Sequence, residues 1–132
     1  MSQEKILVVE DTPLNMELCR DLLEVAGYTV YEATDARQAI EQAKQERFDL
    51  ILMDIQLPGM DGLSVTRIIK GESINKDTPI VALTAYAMAG DKEKIEAAGC
   101  DGYITKPINT REFAQTIAGF LRRLGKEDTK IL

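Results

Sequence analysis

The chain has 132 residues, 45% hydrophobic and 29% charged, which is enough for one globular domain whose core needs neither disulfide nor metal. A formal net charge of −6 repels phosphate backbones and anionic lipid, so nucleic acid and membrane surfaces are not expected as partners. Histidine is absent, which removes His general bases, Ser-His and Cys-His nucleophile pairs and nearly every zinc site.

Short apolar runs alternate with longer amphipathic stretches five times along the chain. Ile6 to Val9 reads as a strand buried on both faces. Thr12 offers an N-cap oxygen and Pro13 suits a first helical turn, so a helix is expected there. Leu14, Leu18, Leu22 and Ala26 recur every four residues along it, and Gly27 closes it. Tyr28 to Ala33 is the second strand. Asp35 caps a helix running through Glu46, with Ala36, Ala39, Ile40 and Ala43 on one face. Asp49 to Met53 is the third strand. A loop, Pro58-Gly59-Met60-Asp61-Gly62, leads into a helix capped by Asp61 and carrying Leu63, Val65, Ile68 and Ile69. Pro79 to Leu83 is the fourth strand, followed by a polar, Ala-rich helix to Ala98. Gly102 to Thr105 is the fifth strand. Asn109 with Glu112 three residues on resembles a capping box for the last helix, whose buried side is Phe113, Ile117, Phe120, Leu121 and Leu124. Residues 125–132 read as a C-terminal tail, leaving 1–124 as the domain.

Five strands each followed by a helix, with central strands lacking hydrophobic alternation, predict an α/β fold with a doubly wound parallel sheet. A closed barrel would need eight such units. Ligands bind such sheets at the carboxyl ends of the strands. The residues found there are Glu10 and Asp11, Asp54, Thr84 and Lys106. Three carboxylates side by side raise one another's pKa and call for a counter-charge, and carboxylate oxygens suit Mg²⁺. With Mg²⁺ and Lys106 the site is neutral and able to receive a phosphoryl group, and a carboxylate is a competent nucleophile towards phosphorus. Taken singly, each residue has a simpler role as a helix-dipole partner, cap, turn residue or surface charge. Together, those roles leave the coincidence of four suitable strand ends unexplained.

Four stretches carry a resemblance: Val8-Val9-Glu10-Asp11, Leu52-Met53-Asp54 through Asp61-Gly62, Leu83-Thr84-Ala85 and Tyr103-Ile104-Thr105-Lys106-Pro107. In sequence and spacing they closely resemble receiver domains of two-component response regulators, over about residues 4–124. Tyr86-Ala87-Met88-Ala89-Gly90-Asp91 looks most like receivers of hybrid histidine kinases and the stand-alone receivers that control polarity and cell-cycle kinases. The resemblance implies a flavodoxin-like fold with strand order 2-1-3-4-5. It makes Asp54 the phosphoacceptor, with Mg²⁺ held by Asp11, Asp54 and the Gln56 carbonyl and by Glu10 mainly through a bound water. Many members carry Asp-Asp where this chain has Glu10-Asp11. The resemblance also implies that Lys106, aimed by a cis bond to Pro107, pairs with Asp54 and then with the phosphoryl oxygens. Thr84 would donate its hydroxyl to that group, and Tyr103 would be the aromatic that moves with Thr84. Gln56 and Tyr86 occupy positions that gate the attacking water.

The main alternative is a phosphatase or phosphotransferase that uses an aspartyl-phosphate intermediate. Such hydrolases carry a second acid two residues after the nucleophile, and Gln56 stands there. A nucleotide or flavin module would need glycine in the turn Glu10-Asp11-Thr12-Pro13, which instead presents two acids. The expected function is therefore a single-domain response regulator, not a turnover enzyme. It would be phosphorylated by a histidine kinase or histidine phosphotransfer protein and would act on a downstream protein target through its own surface, as a monomer or a weak phosphorylation-dependent dimer. Its expected location is cytoplasmic, since no apolar run spans a bilayer, the first acids precede any signal-peptide core, and Cys19 and Cys100 lack CxxC spacing. Cys19 and the methionines Met53, Met60 and Met88 are expected to fill core gaps or anchor loops. Cys100 follows Gly99 on a loop, with nothing nearby to activate it.

Overall fold

A computed structural model of the protein describes residues 3–85 and 89–125. The expected residues Tyr86, Ala87 and Met88, and the tail beyond Gly125, lie outside the described residues, as does the side chain of Leu124. Five strands and five helices alternate: β1 (Lys5–Val9), α1 (Pro13–Val25), β2 (Thr29–Ala33), α2 (Ala36–Gln45), β3 (Leu50–Asp54), α3 (Gly62–Glu72), β4 (Ile80–Thr84), α4 (Ala89–Ala97), β5 (Gly102–Thr105) and α5 (Phe113–Gly125). All strand pairs are parallel, in the order β2-β1-β3-β4-β5.

The period-2 alternation of strand side chains divides the core into two layers. Leu7, Val9, Ile51, Met53, Ile80 and Ala82 face one way, onto Ala36, Ala39 and Ala43 of α2, Val65 and Ile69 of α3 and Ile95 of α4. Their neighbours Ile6, Val8, Leu50, Leu52, Val81 and Leu83 face the other way, onto Met16, Cys19 and Leu23 of α1 and Phe113, Ile117 and Phe120 of α5. β1, β3 and β4 are therefore apolar at nearly every position, because both of their faces are covered.

The buried face of α1 differs from the expected one. Leu14 is 74% exposed, and Met16, Cys19 and Leu23 carry the packing, with Leu22 at its margin. A strict four-residue spacing advances about 40° per step on a helix of 3.6 residues per turn, so Leu14 to Ala26 drifts off any single face. Thr12 is the N-cap residue by position, but its side chain makes no capping bond; its extended backbone and Pro13 set the start. The caps of α2 and α3 form as expected, whereas at Asn109 only the Asn half of the expected capping box forms and α5 starts further on, at Phe113. Asp35 accepts from the Gln38 N–H, Asp61 from the Ser64 N–H, and Asn109 Oδ1 from the Arg111 and Glu112 N–H groups. Gly27 follows α1 at φ +100°, the left-handed conformation glycine tolerates best.

One buried polar residue ties the lower side of the sheet together. The Asn75 side chain, wholly buried, accepts from the Phe48 N–H and the Thr78 hydroxyl and donates to the Ala43 and Glu46 carbonyls, at 2.7–2.8 Å. Its amide thus clamps the α2–β3 and α3–β4 connections with all four of its bonding positions used. Asn75→Ala leaves the buried Phe48 N–H unpaired and is expected to lower the unfolding free energy by about 1–3 kcal/mol. Urea titration followed by far-ultraviolet circular dichroism reads this loss directly, and an unchanged midpoint would contradict it.

Candidate functional site

The register of the sheet brings the polar residues of four strand ends together. Val9 pairs with Met53, Asp54 with Leu83, and Thr84 with Thr105, so Glu10, Asp54, Thr84 and Lys106 emerge along one edge. Backbone bonding continues past the strands: the Glu10 N–H donates to the Ala33 carbonyl at 3.0 Å and the Lys106 N–H to the Thr84 carbonyl at 2.8 Å. Asp54 and Thr84 are the last residues of β3 and β4, one residue further into their strands than the sequence implied. Their backbones are therefore fixed by the sheet. The Lys106-Pro107 bond is cis.

At the centre lies the Lys106 ammonium, 3.2 Å from Asp54 Oδ2 and 3.3 Å from Glu10 Oε1. Asp54 is 1% exposed and Glu10 wholly buried. The second oxygen of each accepts a backbone N–H: Asp54 Oδ1 from Gln56 at 2.9 Å, and Glu10 Oε2 from Thr12 at 3.2 Å. Burial raises the pKa of Glu10, and the neighbouring charge of Asp54 raises it further. Burial alone would lower the pKa of Lys106, but the charges of Asp54 and Glu10 outweigh it and hold the ammonium protonated. Asp11 completes the group from an exposed position at the rim. Ligand oxygens of Glu10, Asp11 and Asp54 lie within 4.8 Å of one another.

This donor set fits a hard divalent cation. Glu10 Oε1 is buried and has no hydrogen-bond partner, leaving Lys106 as its one opposing charge among the described residues. All the donors are carboxylate oxygens, as Mg²⁺ prefers, and one acid faces solvent where the ion would keep its waters. Gln56, itself exposed, is tied to Asp54 through its backbone N–H.

The remaining expected residues divide into two groups. Thr84 is wholly buried at the end of β4 beside this cluster. Tyr103 stands apart, opposite Ala82 on β5 and half-buried, with the Lys92 ammonium 5.6 Å from its ring centroid. Both cysteines are buried. Burial, with the nearby charge of Glu10, pushes the Cys19 thiol up to about 12, and burial also raises Cys100, so neither is an activated nucleophile.

The packing role of one residue of the quoted motifs, Gly62, was not read from the sequence. A Cβ on Gly62 would stand 2.3 Å from the Asp54 carbonyl oxygen and 2.6 Å from the Ile55 Cα, so only glycine lets α3 start against the backbone of Asp54. The Gly62 N–H donates to the Ile55 carbonyl at 3.2 Å, closing the loop after β3. The signal available was Gly62 directly after the capping Asp61, but the close approach that requires glycine is visible only in three dimensions.

Comparison with known proteins agrees with this geometry. The family model of the response regulator receiver domain matches residues 6–118. The polar-differentiation response regulator DivK of Brucella anthropi is 44% identical over 118 residues, covering 89% of this chain and 96% of that protein. Among solved structures, a CheY-like receiver domain protein from Methanospirillum hungatei superposes with a TM-score of 0.87 at 30% identity, covering 96% of this chain and 99% of the other. The receiver domain of a sensor histidine kinase from Pseudomonas aeruginosa, solved with a magnesium ion in its active-site cleft, gives a TM-score of 0.82 at 40% identity, covering 94% and 99%. Among the described residues, no helix is long and apolar enough to cross a membrane. The buried acid–lysine edge, the strand order and these matches lead to one assignment: the chain belongs to the response regulator receiver domain family.

Proposed function

We propose that this protein accepts a phosphoryl group on Asp54 from the phosphohistidine of a histidine kinase or phosphotransfer protein, and passes the signal on through contacts of its own surface. The observation that carries this reading is the Lys106 ammonium bridging two buried carboxylates at the carboxyl edge of the sheet. Asp54 is almost wholly buried at the end of β3, and its Oδ1 accepts from the Gln56 N–H. An Asp54 oxygen forms the new bond to phosphorus while the phosphorus–nitrogen bond to the donor imidazole breaks, its electron pair leaving with the ring. Lys106 shifts its ammonium from the carboxylate to the phosphoryl oxygens, and the Thr84 hydroxyl donates to another of them.

Glu10, Asp11, Asp54 and the Gln56 carbonyl would hold Mg²⁺. When bound, the ion offsets the charge of the acids and of the incoming phosphoryl oxygens. The chain is not a turnover enzyme in this reading, because the position two residues beyond Asp54 is the exposed amide Gln56, which cannot protonate a leaving group. The location is cytoplasmic, where such donors occur, and the protein is a monomer or a weak phosphorylation-dependent dimer.

The proposed switch uses Thr84 and Tyr103. Thr84, drawn towards the phosphoryl group, vacates space that the Tyr103 ring on the adjacent strand fills, which changes the outer face of α4, β5 and α5. A partner responds only to the extent that it binds the two states differently.

Incubation with a small acyl-phosphate donor and Mg²⁺ is expected to add one phosphoryl mass to the wild-type protein. Asp54→Asn, and wild-type protein treated with chelator, are expected to gain none. Intact-mass spectrometry reads all three, and undiminished labelling of Asp54→Asn would place the acceptor elsewhere. Thr84→Ala is expected to accept the group yet lose most of the phosphorylation-dependent gain in affinity for the protein's target, a coupling of about 1–3 kcal/mol. Titration of that target with phosphorylated and unphosphorylated forms of both proteins measures it, and a full difference in Thr84→Ala would remove Thr84 as the relay.

A further inference from the structure

Tyr103 stands on the edge strand β5, half-buried, with one side of its ring packed on the layer that contains Ile95 and Cys100. Across from it on α4, the exposed Lys92 places its ammonium 5.6 Å from the ring centroid, within the range at which an aromatic face attracts a cation. Lys92 has a competing partner on its own helix, Glu96, one turn on. A lysine placed four residues before a glutamate is the weaker orientation of such a pair. Interaction with the Tyr103 side chain raises the pKa of Lys92, and the charge of Glu96 raises it further. The ring face thus lies within attractive range of this cation, while the acid on the same helix is in the less favourable order.

The contact is made to a ring that is only half-buried. A ring drawn in beside Thr84 gives up its exposed face and leaves the ammonium to water. We infer that Lys92 is a positioning residue that tethers Tyr103 in its outward state, so that the unmodified protein is held off by a cation on α4 and phosphorylation has to break that contact. This rests on the switch reading above and adds a second element to it. Thr84 pulls the ring in, Lys92 holds it out, and the resting population reflects both. A ligand or modification shifts such an equilibrium only through its differential effect on the two states, and the tether favours one state alone.

The test uses the full chain with ring-labelled tyrosine, the Tyr103 signal being assigned by its disappearance in Tyr103→Phe. Spectra are recorded before and after phosphorylation by an acyl-phosphate donor with Mg²⁺. Lys92→Met keeps most of the side-chain length and removes the charge; Lys92→Arg keeps a cation able to stack on the ring. In unphosphorylated Lys92→Met the Tyr103 signal is expected to move part of the way towards its phosphorylated position, corresponding to about a two- to five-fold rise in the inward-to-outward ratio. Lys92→Arg is expected to return it to the wild-type position. If phosphorylation moves the ring in the wild type while Lys92→Met leaves the resting signal unchanged, the tether is wrong and the switch stands. A Lys92→Arg signal displaced as far as that of Lys92→Met would also overturn the tether, since the cation is then not what holds the ring. If phosphorylation of the wild type leaves Tyr103 unmoved, the switch reading is overturned, and the regulatory role of Lys92 falls with it.

Discussion

The site depends on one ammonium group held between two buried carboxylates. Lys106 lies 3.2 Å from Asp54 and 3.3 Å from Glu10, and neither acid has appreciable access to water. Burying charges in this way is costly unless each is paired and hydrogen-bonded. Asp54 meets that requirement, since both of its oxygens are engaged. Glu10 meets it only in part, because Oε1 faces Lys106 without a hydrogen bond and the pKa of the carboxyl is raised. With Asp11 at the rim, the edge holds more negative than positive charge. That imbalance suits a divalent cation, and in the proposed reading the cation and Lys106 together would face an incoming phosphoryl group with positive charge.

The fold supplies this arrangement with little help from loops. Asp54 and Thr84 are the terminal residues of β3 and β4, while Glu10 and Lys106 are held by backbone bonds one residue beyond β1 and β5. Covering both faces of the sheet makes the strands stiff, and parallel register places their ends side by side. Gly62 brings the start of α3 against the Asp54 backbone, where a side chain would collide. On the far side of the sheet Asn75 joins two connections through its four hydrogen bonds. The residues of the site are thus carried on strand ends, and the switch proposed above would need only the Thr84 side chain and the Tyr103 ring to move.

Much of this was legible in the sequence because the relevant signals are local or topological. Strands covered on both faces read as continuous apolar runs such as Leu50 to Met53, and the rule that ligands sit at strand carboxyl ends then singles out Glu10, Asp11, Asp54, Thr84 and Lys106. Asp35 and Asp61 announced their helices, since a cap acts within one turn. Features set by distant packing were not legible. The leucine row of α1 looked like a buried stripe, but which face of a helix is covered depends on how it lies on the sheet, and Met16, Cys19 and Leu23 took that place. Asn75 reads as an ordinary loop residue until Phe48, Ala43 and Glu46 arrive from elsewhere in the chain. Lys92 likewise reads as one of several solvated charges on a polar helix, and only the placement of α4 beside β5 gives it an aromatic partner.

If Lys106 and a divalent cation share the negative charge of one buried cluster, removing the ammonium in Lys106→Met changes the affinity for Mg²⁺. Calorimetric titration of unphosphorylated wild-type and variant proteins with MgCl₂ at fixed ionic strength compares the two. Removing the ammonium takes away a repulsive neighbour of the ion, so Mg²⁺ is expected to bind more tightly, by about ten-fold for a charge this close. The same variant should be slow to accept phosphate, having lost the group that follows the phosphoryl oxygens. Unchanged or weaker Mg²⁺ binding by correctly folded Lys106→Met would contradict the account.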